Sequence, residues 1–153
     1  MKQFIFLCFL LFFSKSIAQE FEKGKLSSSD KTILINELNL ISEKTIDESN
    51  IIIINFYIEK DLNPDNLCID YYVNDKKYKK FIKRNKKINQ FFITEQNYNY
   101  NKKDVIEDKN NIIKTVLFEN AKWCGNFIII KPDGTFTKKY GEYRQDDIRN
   151  LIK

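Results

Sequence analysis

The sequence predicts an α/β fold: a mixed sheet of about four strands with helices on both faces. Three observations point there. Ile51 to Ile58 is a β-branched and aromatic run without alternation, holding Asn55 as its one polar residue, which reads as a strand buried on both faces, as in a parallel sheet. Helical stripes precede and follow that run, as crossovers between parallel strands require. Near the end, Asn126 to Lys131 and Thr135 to Tyr140 flank Pro132-Asp133-Gly134. In that turn proline fixes φ, aspartate bonds its own backbone and glycine takes φ > 0, which makes an antiparallel hairpin.

In chain order, the opening segment is a secretory signal. Lys2 gives the positive start, Phe4 to Phe13 an uncharged apolar run, and Ser16-Ile17-Ala18 a small-x-small site with cleavage before Gln19. The run is shorter than the roughly 20 residues that span a bilayer, so no stable membrane insertion is expected after cleavage. Localisation is therefore exported, periplasmic or secreted. Cys8 falls within the discarded segment. Removing 18 of the 153 residues takes Lys2 and Lys15 with it, so the formal net charge drops from +5 to +3. A small charge spread among many acids is ordinary solubility, and no nucleic-acid partner is expected.

Residues 19–29 are polar and read as an exposed lead-in to a domain covering 30–153. Ser29 or Asp30 is placed to cap a helix carrying Ile33, Leu34, Leu38 and Ile41, broken at Ser49-Asn50. After the 51–58 strand, Asn63-Pro64-Asp65 is a turn with a helix start. Leu67, Tyr71, Tyr78, Phe81 and Ile82 then follow a helical stripe to about Lys87. A strand over Cys68 to Val73, closed by Asn74-Asp75, is the competing reading. Gln90 to Glu95 is a second strand and 97–103 a polar loop. Asp104-Val105-Ile106-Glu107 has capping-box spacing and predicts the start of a helix reaching Leu117. A last helix follows the hairpin, with Asp146 and Asp147 in its first turn and Lys153 at its end.

Composition excludes several chemistries. There is no histidine, which removes Ser-His-Asp and Cys-His nucleophile activation and the histidine-bearing zinc motifs. Gly24, Gly125, Gly134 and Gly141 are the four glycines, too few and too scattered for a phosphate-cradling loop. No cofactor and no metal is expected. The run Lys76, Lys77, Lys79, Lys80, Lys83, Arg84, Lys86 and Lys87 is interleaved with Tyr78 and Phe81. Contact with anionic lipid or a polyanion is one reading. A solvated helix face is preferred, because the aromatics fall on the core-facing stripe. The Asp104 and Glu107 carboxylates are assigned to capping in preference to acid–base work.

The stretch Gly125 to Phe136, with Tyr140-Gly141-Glu142-Tyr143 and the final helix, resembles the C-terminal half of the thioredoxin-like superfamily. There a cis-proline loop leads into a strand, an Asp-Gly turn, a second strand and a helix. Strand 51–58 with its following helix is similar to the N-terminal half, so the resemblance spans about 30–153. The chain departs from the redox members in lacking C-x-x-C: Cys68 stands alone, with Asp65 three residues before it and Tyr71 three after. Gly125, preceded by Cys124, takes the cis-proline place. The Pro-x-x-x-Thr-x-x-Cys pattern of peroxiredoxins is absent, as is the histidine a copper-delivering relative would carry.

The resemblance implies that Cys68 and Cys124 approach each other, with Cα atoms inside about 7 Å. Three readings stand: a structural disulfide, as export favours, two buried free thiols, or a redox pair with Cys68 as nucleophile and Cys124 as resolving partner. Trp123 and Gly125 are candidate binding residues, although a lone tryptophan is more often a core-edge aromatic. The preferred function is a non-catalytic binding or accessory protein of the cell envelope with an unknown protein partner. The alternative is a diverged thiol–disulfide oxidoreductase using Cys68 and Cys124.

Overall fold

A computed structural model describes residues 21–58, 67–98, 100 and 102–152. The expected signal segment, the Asn63-Pro64-Asp65 turn and Lys153 lie outside the described residues. The strands are β1 (Glu22–Lys25), β2 (Ile51–Tyr57), β3 (Ile88–Thr94), β4 (Val105–Glu107), β5 (Asn126–Ile130) and β6 (Thr135–Lys139). The helices are α1 (Ser28–Ser42), α2 (Leu67–Val73), α3 (Lys76–Arg84), α4 (Ile112–Leu117) and α5 (Gln145–Leu151).

The strands form one mixed sheet in the order β1-β6-β5-β2-β3-β4. β2 runs parallel to β3, and β3 to β4, while β5 and β6 are antiparallel. The mixed α/β architecture is as the sequence predicts, with six strands in place of four. Both extra strands are short edges. β1, within the lead-in, pairs with β6 and exposes all four residues. β4 takes up Val105-Ile106-Glu107, where a helix start was expected. β-branched Val105 and Ile106 lie opposite Phe92 and Ile93, Asp104 pairs with Lys79 on α3, and the Glu107 carboxylate accepts from the Asn97 amide. Those carboxylates are engaged across the fold, and the helix begins only at Ile112.

Three other boundaries moved for local reasons. The cap of α1 is Ser27, whose Oγ accepts from the Asp30 amide at 3.0 Å, and the helix ends where Glu43 turns left-handed at φ 54°. The long helical stripe is two helices. Asp75 breaks it and restarts it, its carboxylate accepting from the Lys77 and Tyr78 amides at 2.8 and 3.0 Å. The hairpin forms as expected, with Gly134 at φ +83°.

Alternation along the central strands divides the core. Ile52, Ile54, Phe56, Phe91, Ile93, Ile128 and Ile130 face one side, where Leu34 and Leu38 of α1 and Ile113 and Leu117 of α4 cover them. Ile53, Tyr57, Phe92, Phe127 and Ile129 face the other, under Ile69, Tyr72 and Val73 of α2, Tyr78 of α3 and Ile148 of α5. A parallel strand–helix–strand unit from β2 to β3 and a closing β5–β6 hairpin followed by α5 are both present.

Candidate functional site

Cys68 and Cys124 are joined by a disulfide, with Cα atoms 6.3 Å apart across 56 residues of sequence. Cys68 lies in the first turn of α2 and Cys124 in the loop before β5. Both are half-buried against the tyrosine-bearing side of the core. Tyr72 follows Cys68 by one helical turn and so lies on the same face of α2. Its ring covers Gly125, where a Cβ would come within 3.1 Å of Tyr72 Cε2. Gly125 sits at φ +87°, and the described residues contain no cis peptide bond. A left-handed glycine therefore turns the loop between Cys124 and β5.

Asn126 fixes the remainder of the loop. Its side-chain amide donates to the Phe56 and Trp123 carbonyls at 3.2 and 2.9 Å, and its Oδ1 accepts from the Gly141 amide at 3.0 Å. The side chain is fully buried, so these bonds tie β2, the cysteine loop and the end of β6 with no water in competition. Trp123 is held on the outer side of this knot. It is 55% exposed and lies against Gly141, on which a Cβ would be 3.7 Å from the indole. The core-edge placement preferred for a lone tryptophan is not the one observed. Tyr71, on the outer face of α2, is 67% exposed and meets Tyr72 edge-on.

On the side of the sheet where the disulfide packs runs a chain of polar groups. The Tyr78 hydroxyl donates to Gln90 Oε1, and Gln90 Nε2 donates to Asn55 Oδ1. Asn55 Nδ2 donates to the Tyr143 hydroxyl, which lies 3.5 Å from that of Tyr57. The Tyr143 amide donates to the Tyr72 hydroxyl at 3.1 Å, and the two rings stack at 4.2 Å. Burial pushes the hydroxyls of Tyr57 and Tyr143 well above the usual tyrosine range, and that of Tyr72 upward. These phenols keep their protons near neutrality. They position neighbours and do not act as bases.

Of the residues singled out in the sequence, Cys68, Cys124, Trp123 and Gly125 are brought together. Asn55, Tyr72, Asn126 and Tyr143 were missed as parts of the site. Asn55 alone carried a signal, as the one polar residue inside the 51–58 run. The lysines of α3 are exposed while Tyr78 is buried, which agrees with a solvated helix face. No group of three or more potential ligands able to hold a metal occurs among the described residues, and no described helix is long and apolar enough to cross a membrane.

No protein-family model matches the chain, and no curated protein matches it. Among solved structures, it is similar to the pneumococcal exposed lipoprotein thioredoxin of Streptococcus pneumoniae strain TIGR4. The two are 9% identical, the match covers 69% of this chain and 84% of that one, and the TM-score is 0.49. So distant a likeness carries no argument about activity.

Proposed function

We propose that the chain is an exported, non-catalytic binding or accessory protein of the cell envelope, built on a thioredoxin-like domain whose cysteines staple a recognition surface. The observation that carries this reading is the disulfide itself. It fastens the first turn of α2 to the loop that presents Trp123, with Tyr71 exposed on the same helix. Aromatic side chains held rigid and outward are favourable anchors for a protein partner, because little side-chain entropy is lost on contact. The tyrosines around the staple hold their protons, so they offer no base to activate a thiol.

A second reading is favoured by one feature. Cys68 is half-exposed in the first turn of a helix, where a thiolate is stabilised. As an oxidoreductase, the protein would accept two electrons from a substrate dithiol, Cys68–Cys124 opening to two thiols as the substrate pair closes to a disulfide.

One titration separates the two. The mature protein is equilibrated in glutathione buffers, alkylated and weighed. A structural bond stays closed until about −300 mV, whereas a catalytic one opens between about −120 and −270 mV. Opening in the upper range, with insulin reduction lost in Cys68→Ser, would replace the binding reading. Export is tested separately by N-terminal sequencing of protein expressed from the full chain, for which Gln19 is the expected first residue.

A further inference from the structure

The sheet has two edges, and they are finished differently. β1 carries Glu22, Lys23 and Lys25 in four exposed residues, and such charges discourage another strand from adding. At the opposite edge β4 covers only Phe92, Ile93 and Thr94 of the seven-residue β3. The remaining stretch, Ile88-Asn89-Gln90-Phe91, carries no charge and has no described strand outside it.

Which backbone groups are left there follows from the parallel ladder. The Ile51 amide donates to the Lys87 carbonyl and the Glu95 amide to the Tyr57 carbonyl, so odd-numbered residues of β3 turn their backbone toward β2. Even-numbered residues face outward. The Ile88 amide is used by the Asn85 carbonyl, and the Thr94 carbonyl by Asp108. The Ile88 carbonyl and both backbone groups of Gln90 therefore face away from the sheet with no described strand opposite.

They do not face open solvent. A groove of about 680 Å³ opens beside Gln90 and Phe91 of this stretch, with the end of α1 on one side, α3 on the other and the turn before β4 at one end. Its floor is apolar, from Ile41, Tyr78, Ile82, Phe91, Phe92 and Ile106. Its rim is cationic: Lys44, Lys79, Lys83 and Lys103 stand against Glu43 and Asp104. Asp104 is already committed to Lys79 at 2.7 Å, in an exposed pair that an incoming carboxylate can displace.

We propose that this groove binds an extended acidic peptide segment of a partner protein, which adds as a strand beside Ile88–Phe91. A backbone edge asks for amides and carbonyls repeating at strand spacing, which a lipid or a small anion does not offer. Side chains of an added strand alternate, one set entering the groove toward α1 and the next toward α3. The lysine rim selects carboxylates. Neither cysteine lines the groove, so the proposal does not rest on the reading of the disulfide.

The probe is a fluorescein-labelled, acetylated peptide of about seven alternating glutamates and valines, followed by fluorescence anisotropy with the full mature protein. Binding is expected to weaken as salt rises. It should fall at least tenfold in Lys83→Glu/Lys103→Glu and stay unchanged in Lys23→Glu at the other edge. Methylating alternate amide nitrogens of the probe leaves the protein intact and should abolish binding, whatever the lysine variant does to folding. Cys68→Ser, if folded, should bind as well as wild type. The proposal is overturned if the methylated probe binds equally, if a lysine–valine probe binds as tightly, or if no binding occurs at millimolar probe. Displacement of the probe by anionic phosphatidylglycerol vesicles, with no sensitivity to amide methylation, would assign the groove to a lipid surface and also overturn it.

Discussion

The two faces of this sheet are built from different chemistry. Toward α1 and α4 the core is aliphatic, with Leu34, Leu38, Ile52, Ile54, Ile113, Ile128 and Ile130 around the stacked rings of Phe56 and Phe118. Toward α2, α3 and α5 it holds Tyr57, Tyr72, Tyr78, Tyr98 and Tyr143, with Asn55 buried among them. Apolar burial is non-directional and tolerates exchange among side chains of similar volume. Hydrogen-bonded phenols hold one arrangement, because a misplaced buried hydroxyl costs its whole desolvation. Both faces bury apolar surface, and Cys68 and Cys124 pack against the second.

The sharpest way to break this contrast is to remove volume from each side. Ile54→Ala, at a fully buried position of β2, should cost about 4 kcal/mol in urea unfolding while leaving the disulfide closed. Next is the staple. Cys68→Ser and Cys124→Ser each free a loop of 56 residues and should cost up to about 4 kcal/mol by chain entropy. Near-ultraviolet circular dichroism should report the difference between the faces. The cysteine variants should lose tyrosine and tryptophan signal, and Ile54→Ala should retain it. Loss in the opposite sense would mean that the aliphatic side holds the aromatics in place.

Tyr143→Phe is a smaller change on the second face alone. It removes the hydroxyl bonded to Asn55 and near Tyr57, and a loss of about 2 kcal/mol is expected from the stranded amide. The same face sets the alkaline limit of the fold. The folded-state pKa values of Tyr57 and Tyr143 lie above that of an unfolded tyrosine, near 10. Their contribution is therefore complete below pH 10 and is lost as the pH climbs beyond it. Tyr143→Phe should make the stability less steep in pH above 10. On the acid side the sign reverses. Lys102 and Tyr100 hold the Asp70 carboxyl below its ordinary value, and Lys79 does so for Asp104. Stability should hold above about pH 4 and fall as those groups protonate. Chemical denaturation across pH checks both limits, and a flat profile above pH 10 would remove the special status given to the tyrosine face.

The same division explains what was legible in the sequence. Buried strands announce themselves through apolar runs without alternation, so β2 and β5 were placed within a residue or so. β1 and β4 were not, because an edge strand of four or three residues is held by its partner and has no pattern of its own. Asp104 and Glu107 have helix-start spacing, but Lys79 and the Asn97 amide, both distant in sequence, claim the carboxylates. The cysteines and Gly125 were legible as candidates through the family resemblance. Asn126 was not, since an asparagine at a strand start gives no sign that it bridges three segments.

The smallest expected effect on stability falls where the largest effect on function is proposed. Trp123 is held by the backbone around it: Cys124 follows it in the chain, the Asn126 side-chain amide donates to its carbonyl, and Gly141 lies against the indole. Replacing its more than half-exposed indole with alanine removes little buried surface, and Trp123→Ala should shift unfolding by no more than about 0.5 kcal/mol. If the disulfide exists to present that ring, capture of a native envelope partner by cross-linking should nevertheless fail in Trp123→Ala. It should survive in Ile54→Ala at temperatures where that variant remains folded. A partner captured equally by Trp123→Ala would leave the tyrosine face as a rigid core with no recognition role, and the difference between the two faces would then be one of packing chemistry alone.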